Sequence, residues 1–118
     1  MILRILLAIV LLGIAYLSLT PSETIVVGNA KISHFIAYAV LMFNAGLITY
    51  KSQRKFIIAI VLCLIYGALI EVGQHFVPGR YMSGYDMIAN TSGVGIGTIL
   101  TVLLYKPVIK VLQSTRII

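Results

Sequence analysis

The groups that could do chemistry crowd into one stretch of this chain: Glu71, Gln74, His75, Arg80, Ser83, Asp86 and Asn90. The whole 118-residue chain holds only nine Lys or Arg and three Asp or Glu, so this is a large share of its ionisable side chains. A second patch, Lys31, His34 and Tyr38, is spaced three and four residues apart, which is one face of a helix. Asp86, Asn90, Gly93 and Gly97 are spaced four, three and four and make another single stripe, polar above and glycine below. Glu71, Gln74 and His75 share one turn. Lys31 and Arg80 are the natural holders of an anionic oxygen, a guanidinium gripping carboxylate or phosphate bidentately. Glu71 and Asp86 would orient those cations, and Gln74, Asn90, Ser83, His34 and Tyr38 would supply hydrogen bonds. The same residues offer catalytic roles: Glu71 or Asp86 as general base and His34 as proton relay, imidazole being the side chain that changes charge near neutral pH.

Each assignment has a structural competitor. Ser83-x-x-Asp86 reads equally as a capping box opening a helix, Glu71 with Arg80 as an ion pair pinning a loop, and Lys31 as a snorkelling cation. Asn90 has the alternative of hydrogen bonding between helices, and Gly93, Gly95 and Gly97 that of letting another helix approach closely. His34, Glu71 and His75 form a conceivable divalent-metal set. No His-Glu-x-x-His is present, however, and Cys63 stands alone, so neither metal nor cofactor is expected. Nucleophile elbow, P-loop and dinucleotide fingerprint are all missing from the sequence.

These residues need elements to position them, and the composition says which. With 60% apolar residues and a mean hydropathy of +1.07, the chain is too greasy for a water-soluble domain and long enough for one domain, residues 1–118. Four apolar runs, about 3–19, 32–50, 56–77 and 85–105, have the length an α-helix needs to cross hydrocarbon. None alternates like a barrel strand. The expectation is an all-α membrane protein, a four-transmembrane-helix bundle. Its first run reads as a retained anchor rather than a signal peptide. The tail after Lys106-Pro107 reads as a short interfacial helix.

The net charge of +6 does not point to nucleic acid. Arg4, Lys51, Arg54, Lys55, Lys106, Lys110 and Arg116 fall on one side of the four-span arrangement, and only Lys31 and Arg80 on the other. By the positive-inside rule both termini are cytoplasmic, N-in/C-in, and the polar residues of spans two, three and four gather at the outer ends. The expected partners are membrane lipids or a lipid-linked envelope precursor, and an envelope protein partner is compatible with the same surface. Transport coupled to protons, with Glu71 titrating in a cavity, and a purely structural role complete the alternatives.

The pattern Lys31-x-x-His34-Phe35-x-x-Tyr38, then Glu71-x-x-Gln74, then Pro78-Gly79-Arg80-x-x-Ser83-x-x-Asp86-x-x-x-Asn90-x-x-Gly93-x-x-x-Gly97 resembles the VanZ-like family of small bacterial membrane proteins, from about Ala30 to Gly97. That family usually carries Asp before the lysine, where this chain has Ala30. Its namesake is associated with reduced susceptibility to the glycopeptide antibiotic teicoplanin. The resemblance therefore implies a cell-envelope role in the bacterial cytoplasmic membrane and an antibiotic-resistance connection, without implying a reaction.

Overall fold

A chain crossing hydrocarbon must satisfy every backbone N–H and C=O within itself, and a long apolar run does so as a helix. The structure, a computed structural model, describes residues 1–19, 30–77 and 84–116, the side chains of Ala30 and Lys31 excepted. Four helices form: α1 (Ile2–Leu19), α2 (Ala30–Thr49), α3 (Gln53–Gln74) and α4 (Gly84–Ser114). Each is long and apolar enough to span a membrane. Ser52 caps α3, its hydroxyl accepting from the Lys55 N–H at 3.3 Å.

Two boundaries differ from the sequence reading. Helix α3 stops at Gln74, and the chain then tightens through His75 N–H to the Val72 carbonyl, Phe76 to Gly73 and Val77 to Gln74, each at 3.1 Å. These are three-residue-spaced bonds of the 3₁₀ type. Glu71 therefore lies about 4.5 Å, three residues of rise, below the end of its helix, rather than the six residues, about 9 Å, that a run reaching residue 77 implies. At the other end, the tail is not a separate helix. Helix α4 continues through Pro107 to Ser114, 31 residues in all. Pro107 removes only the bond to the carbonyl four residues back, and the ladder resumes beyond it, closing with the Thr115 and Ser114 hydroxyls on the Val111 carbonyl. At about 46 Å the helix outruns a hydrocarbon layer of about 30 Å, so its last turns extend past it.

Helix α2 is the centre of the bundle and touches the other three, whereas α1 and α4 make no contact among the described residues. Polar side chains hook α1 in place by donating to its backbone carbonyls at three heights. Asn44 of α2 reaches Leu3 at 3.0 Å, Tyr66 of α3 reaches Leu11, and Gln74 of α3 reaches Ser18 at 3.0 Å. The heights show α1 running antiparallel to α2 and parallel to α3. Helix α4 lies along α2 in the same direction, and glycine makes that possible. A Cβ at Gly93 would stand 2.5 Å from the Phe35 carbonyl oxygen, and one at Gly97 would stand 2.6 Å from that of Ala39. From the other side, Gly46 accommodates Thr101. Gly95 departs from expectation: an added Cβ would meet nothing within 4 Å, because two residues of helix, a rotation of about 200°, turn it away from α2.

The core joins Tyr38, Leu41, Met42 and Ala45 of α2 to Ala59, Cys63 and Ile70 of α3, Val94 of α4 and Ile14 of α1. Large apolar side chains such as Leu12, Leu69 and Leu103 point outward, as on a bundle whose solvent is lipid. At one end Tyr50 packs on Tyr105 and Phe56, with ring centroids 4.5 and 5.4 Å away. The cations Arg4, Lys51, Arg54, Lys55, Lys106, Lys110 and Arg116 are all exposed around and beyond this aromatic end.

Candidate polar site at the far end of the bundle

Because α2 and α4 run one way and α3 the other, the beginnings of the first two meet the end of the third. His34 stands in the middle of that junction. Its Nδ1 lies 2.9 Å from Asn90 Oδ1 of α4 and 3.8 Å from Glu71 Oε1 of α3. The first is a hydrogen bond; the second is an ion-pair distance when the imidazole is protonated. Asp86 of α4 completes the group: one ligating atom each from His34, Glu71 and Asp86 fall within 4.8 Å of one another. Glu71 is 0% and Asn90 2% exposed, while His34 and Asp86 are partly buried.

One turn below His34, Tyr38 is buried, its ring 6.4 Å from the imidazole and 6.3 Å from Tyr66. Gly67 of α3 leaves the room: a Cβ there would stand 3.2 Å from the Tyr38 ring and 3.5 Å from Asn90 Cβ. Three buried polar atoms, Tyr38 Oη, Asn90 Nδ2 and Gln74 Oε1, have no hydrogen-bond partner among the described residues. A buried polar group left so is costly, and Tyr38 and Asn90 both present donors. A cleft of ≈ 10 Å³ between α3 and α4 is lined by Asn90 together with Cys63, Gly67, Met87 and Val94.

The helical stripes read from the sequence thus come together for His34, Tyr38, Glu71, Asp86 and Asn90, with Gly93 and Gly97 packed beneath. Gln74 is placed differently, its amide N–H spent on α1. His75 caps α3, is exposed, and packs edge-on against Phe76 at 5.3 Å, so the conceivable metal trio of His34, Glu71 and His75 is not assembled. Asp86 takes the third place. Arg80 and Ser83 lie outside the described residues, as does the Lys31 side chain, although Lys31 belongs to the first turn of α2. Asp86 occupies the first turn of α4, where a carboxylate complements the helix dipole. The capping box it was expected to form with Ser83 falls outside the described residues.

Sequence reasoning missed Tyr66, Asn44 and Gly67. For Gly67 a signal existed, since it falls in the three- and four-residue spacing Cys63, Gly67, Glu71 and Gln74, a single face of the helix that the structure buries.

A multi-pass membrane protein with a buried polar junction at one end of its helices is the class that fold and site define. Residues 4–105 match the model of the VanZ/LLP1 family, and the chain belongs to that family. The match takes in α1 from Arg4 onward, α2 and α3 whole, and ends just before Lys106-Pro107 in α4. Comparison with curated proteins gave no match, nor did comparison with solved structures.

Proposed function

We infer that the junction of α2, α3 and α4 is the floor of an outward-facing site for an anionic cell-envelope or lipid-linked group, a phosphate or carboxylate, and that the protein acts on glycopeptide susceptibility from the bacterial cytoplasmic membrane. The observation that carries this reading is the pair of buried donors, Asn90 Nδ2 and Tyr38 Oη, left without acceptors among the described residues beside a group of ionisable side chains. Lys31 and Arg80, the only cations at this end of the chain's sequence pattern, supply the charge for the anion. Glu71 and Asp86 orient them, and His34 and Ser83 add hydrogen bonds. The opposite end carries the other seven cations, in keeping with N-in/C-in topology and contact with anionic headgroups.

The test compares Glu71→Gln, Arg80→Met and the double variant for thermal stability in detergent and for teicoplanin susceptibility of cells. Removing one partner of a buried ion pair costs about 3 to 5 kcal/mol, whereas replacing both is close to neutral. A stable, membrane-inserted double variant that has lost the phenotype supports the anion site. A stable double variant with full phenotype refutes it.

A second reading draws on His34 Nδ1 lying between an amide oxygen and a carboxylate. That geometry suits a proton relay in an enzyme acting on a lipid-linked substrate, with Glu71 or Asp86 as general base. Turnover of such a lipid by the protein in vesicles, abolished by His34→Gln, would favour it over binding alone.

A further inference from the structure

We propose that His34, Glu71 and Asp86, with Asn90, form a divalent metal site of one nitrogen and three oxygens. Two neighbouring atoms bound to one ion at about 2.1 Å stand about 3.0 to 3.4 Å apart in octahedral or tetrahedral coordination. His34 Nδ1 lies 2.9 Å from Asn90 Oδ1 and 3.8 Å from Glu71 Oε1. The three-residue set spreads to 4.8 Å at most. Binding therefore draws the widest pair together by about 1.4 to 1.8 Å, a movement that falls to the side chain of Asp86, the partly buried member at the start of α4. Asn90 serves either as a fourth ligand through Oδ1 or, when Nε2 is the ligand, as the acceptor that holds Nδ1–H and sets the tautomer, the usual arrangement behind a ligating histidine.

The donor set selects the ion. An imidazole with carboxylate and amide oxygens, and no thiolate, suits Zn²⁺ or Mn²⁺ better than Ca²⁺ or Mg²⁺, which favour all-oxygen shells, or Cu⁺, which favours sulfur. Cys63, the chain's one thiol, belongs to the core two helical turns from Glu71. The sequence argued against a metal because no His-Glu-x-x-His is present and Cys63 stands alone, and the conceivable set it offered joined His34 and Glu71 to His75. The fold replaces that exposed histidine with Asp86. The site does not depend on the anion reading, but an ion held by three or four protein groups keeps a coordination position open, and an anionic oxygen would fill it.

The experiment uses tag-free, full-length protein in detergent, treated with chelator, desalted into a chloride buffer and titrated with Zn²⁺ and separately with Mn²⁺ by calorimetry, with thermal melts followed by circular dichroism. One ion per chain and a raised Tm are expected in the wild type. Asp86→Asn and His34→Gln should weaken binding at least tenfold and abolish the Tm rise, Asn90→Ala should weaken it by about 10- to 100-fold, and His75→Ala should change neither. Asp86→Asn keeps the shape of a partly exposed side chain, so it stands in for Glu71→Gln if that variant fails to fold. Absence of stoichiometric binding overturns the proposal. So does binding that survives Asp86→Asn and His34→Gln, or that disappears with His75→Ala. These titrations read the metal ion itself and leave Arg80 unchanged, so their outcome is separate from that of the Glu71 and Arg80 variants.

Discussion

Replacing Gly93 or Gly97 with alanine should unlock α4 from α2, and the size of the effect follows from the geometry. Ordinary contact for a Cβ begins near 3.4 Å, against 2.5 Å to the Phe35 carbonyl oxygen at Gly93 and 2.6 Å to that of Ala39 at Gly97. The obstacle is backbone of α2 in both cases, so α4 itself must retreat by about 0.8 to 0.9 Å. A radial gap of about that size forfeits roughly a quarter to a half of each dispersion contact along the interface. We expect each alanine to cost about 1 to 3 kcal/mol, as overpacked cores do. The same retreat would stretch the His34–Asn90 hydrogen bond from 2.9 Å to beyond a bonding distance, so the polar junction should loosen together with the packing. Gly95→Ala is the control: nothing lies within 4 Å of the new Cβ, and alanine's better helix propensity makes the change neutral or slightly stabilising, by up to about 1 kcal/mol. Denaturant titration in mixed micelles, followed by circular dichroism, ranks the three. The reasoning is refuted if Gly93→Ala and Gly97→Ala unfold with the wild type, or if Gly95→Ala is as harmful as either.

Tyr66→Phe should release the middle of α1 at a cost of about 0.5 to 2 kcal/mol, the range for hydrogen bonds between membrane helices, because its hydroxyl donates to the Leu11 carbonyl; unfolding at the wild-type midpoint would show that this hook holds nothing. For topology, Thr24→Cys and Ser52→Cys in a Cys63→Ser background should react with an impermeant thiol reagent from outside and only after lysis, respectively, and labelling of Ser52→Cys in intact cells contradicts N-in/C-in.

Fold class and site were legible in the sequence to different depths, for physical reasons. The four helices followed from apolar runs of membrane length. The meeting of His34, Glu71, Asp86 and Asn90 followed from helical phase combined with the up-and-down order of spans, since both depend only on residue spacing. What escaped were features decided by a partner that no side chain encodes. Asn44, Tyr66 and Gln74 donate to backbone carbonyls of α1, and every residue carries such a carbonyl, so no pattern marks Leu3, Leu11 or Ser18 in advance. The end of α3 was placed three residues late because Phe76 and Val77 prolong the apolar run while the backbone has already tightened. His75 and Gly95 were grouped by proximity in sequence: Gly95 lies two residues from both Gly93 and Gly97, a rotation of about 200° that carries it off their stripe, and His75 is the C-cap beyond the last residue of α3, where it is exposed.

The central claim, that the polar junction holds an anionic envelope group together with Arg80, is tested most directly by mass spectrometry of the small molecules that co-purify with the protein from bacterial membranes in mild detergent. The account predicts a phosphate- or carboxylate-bearing lipid or lipid-linked species in stoichiometric amount with the wild type and its loss with Arg80→Ala, the folded fraction being equal. The same species retained at the same level by Arg80→Ala, or none found with the wild type, would contradict it.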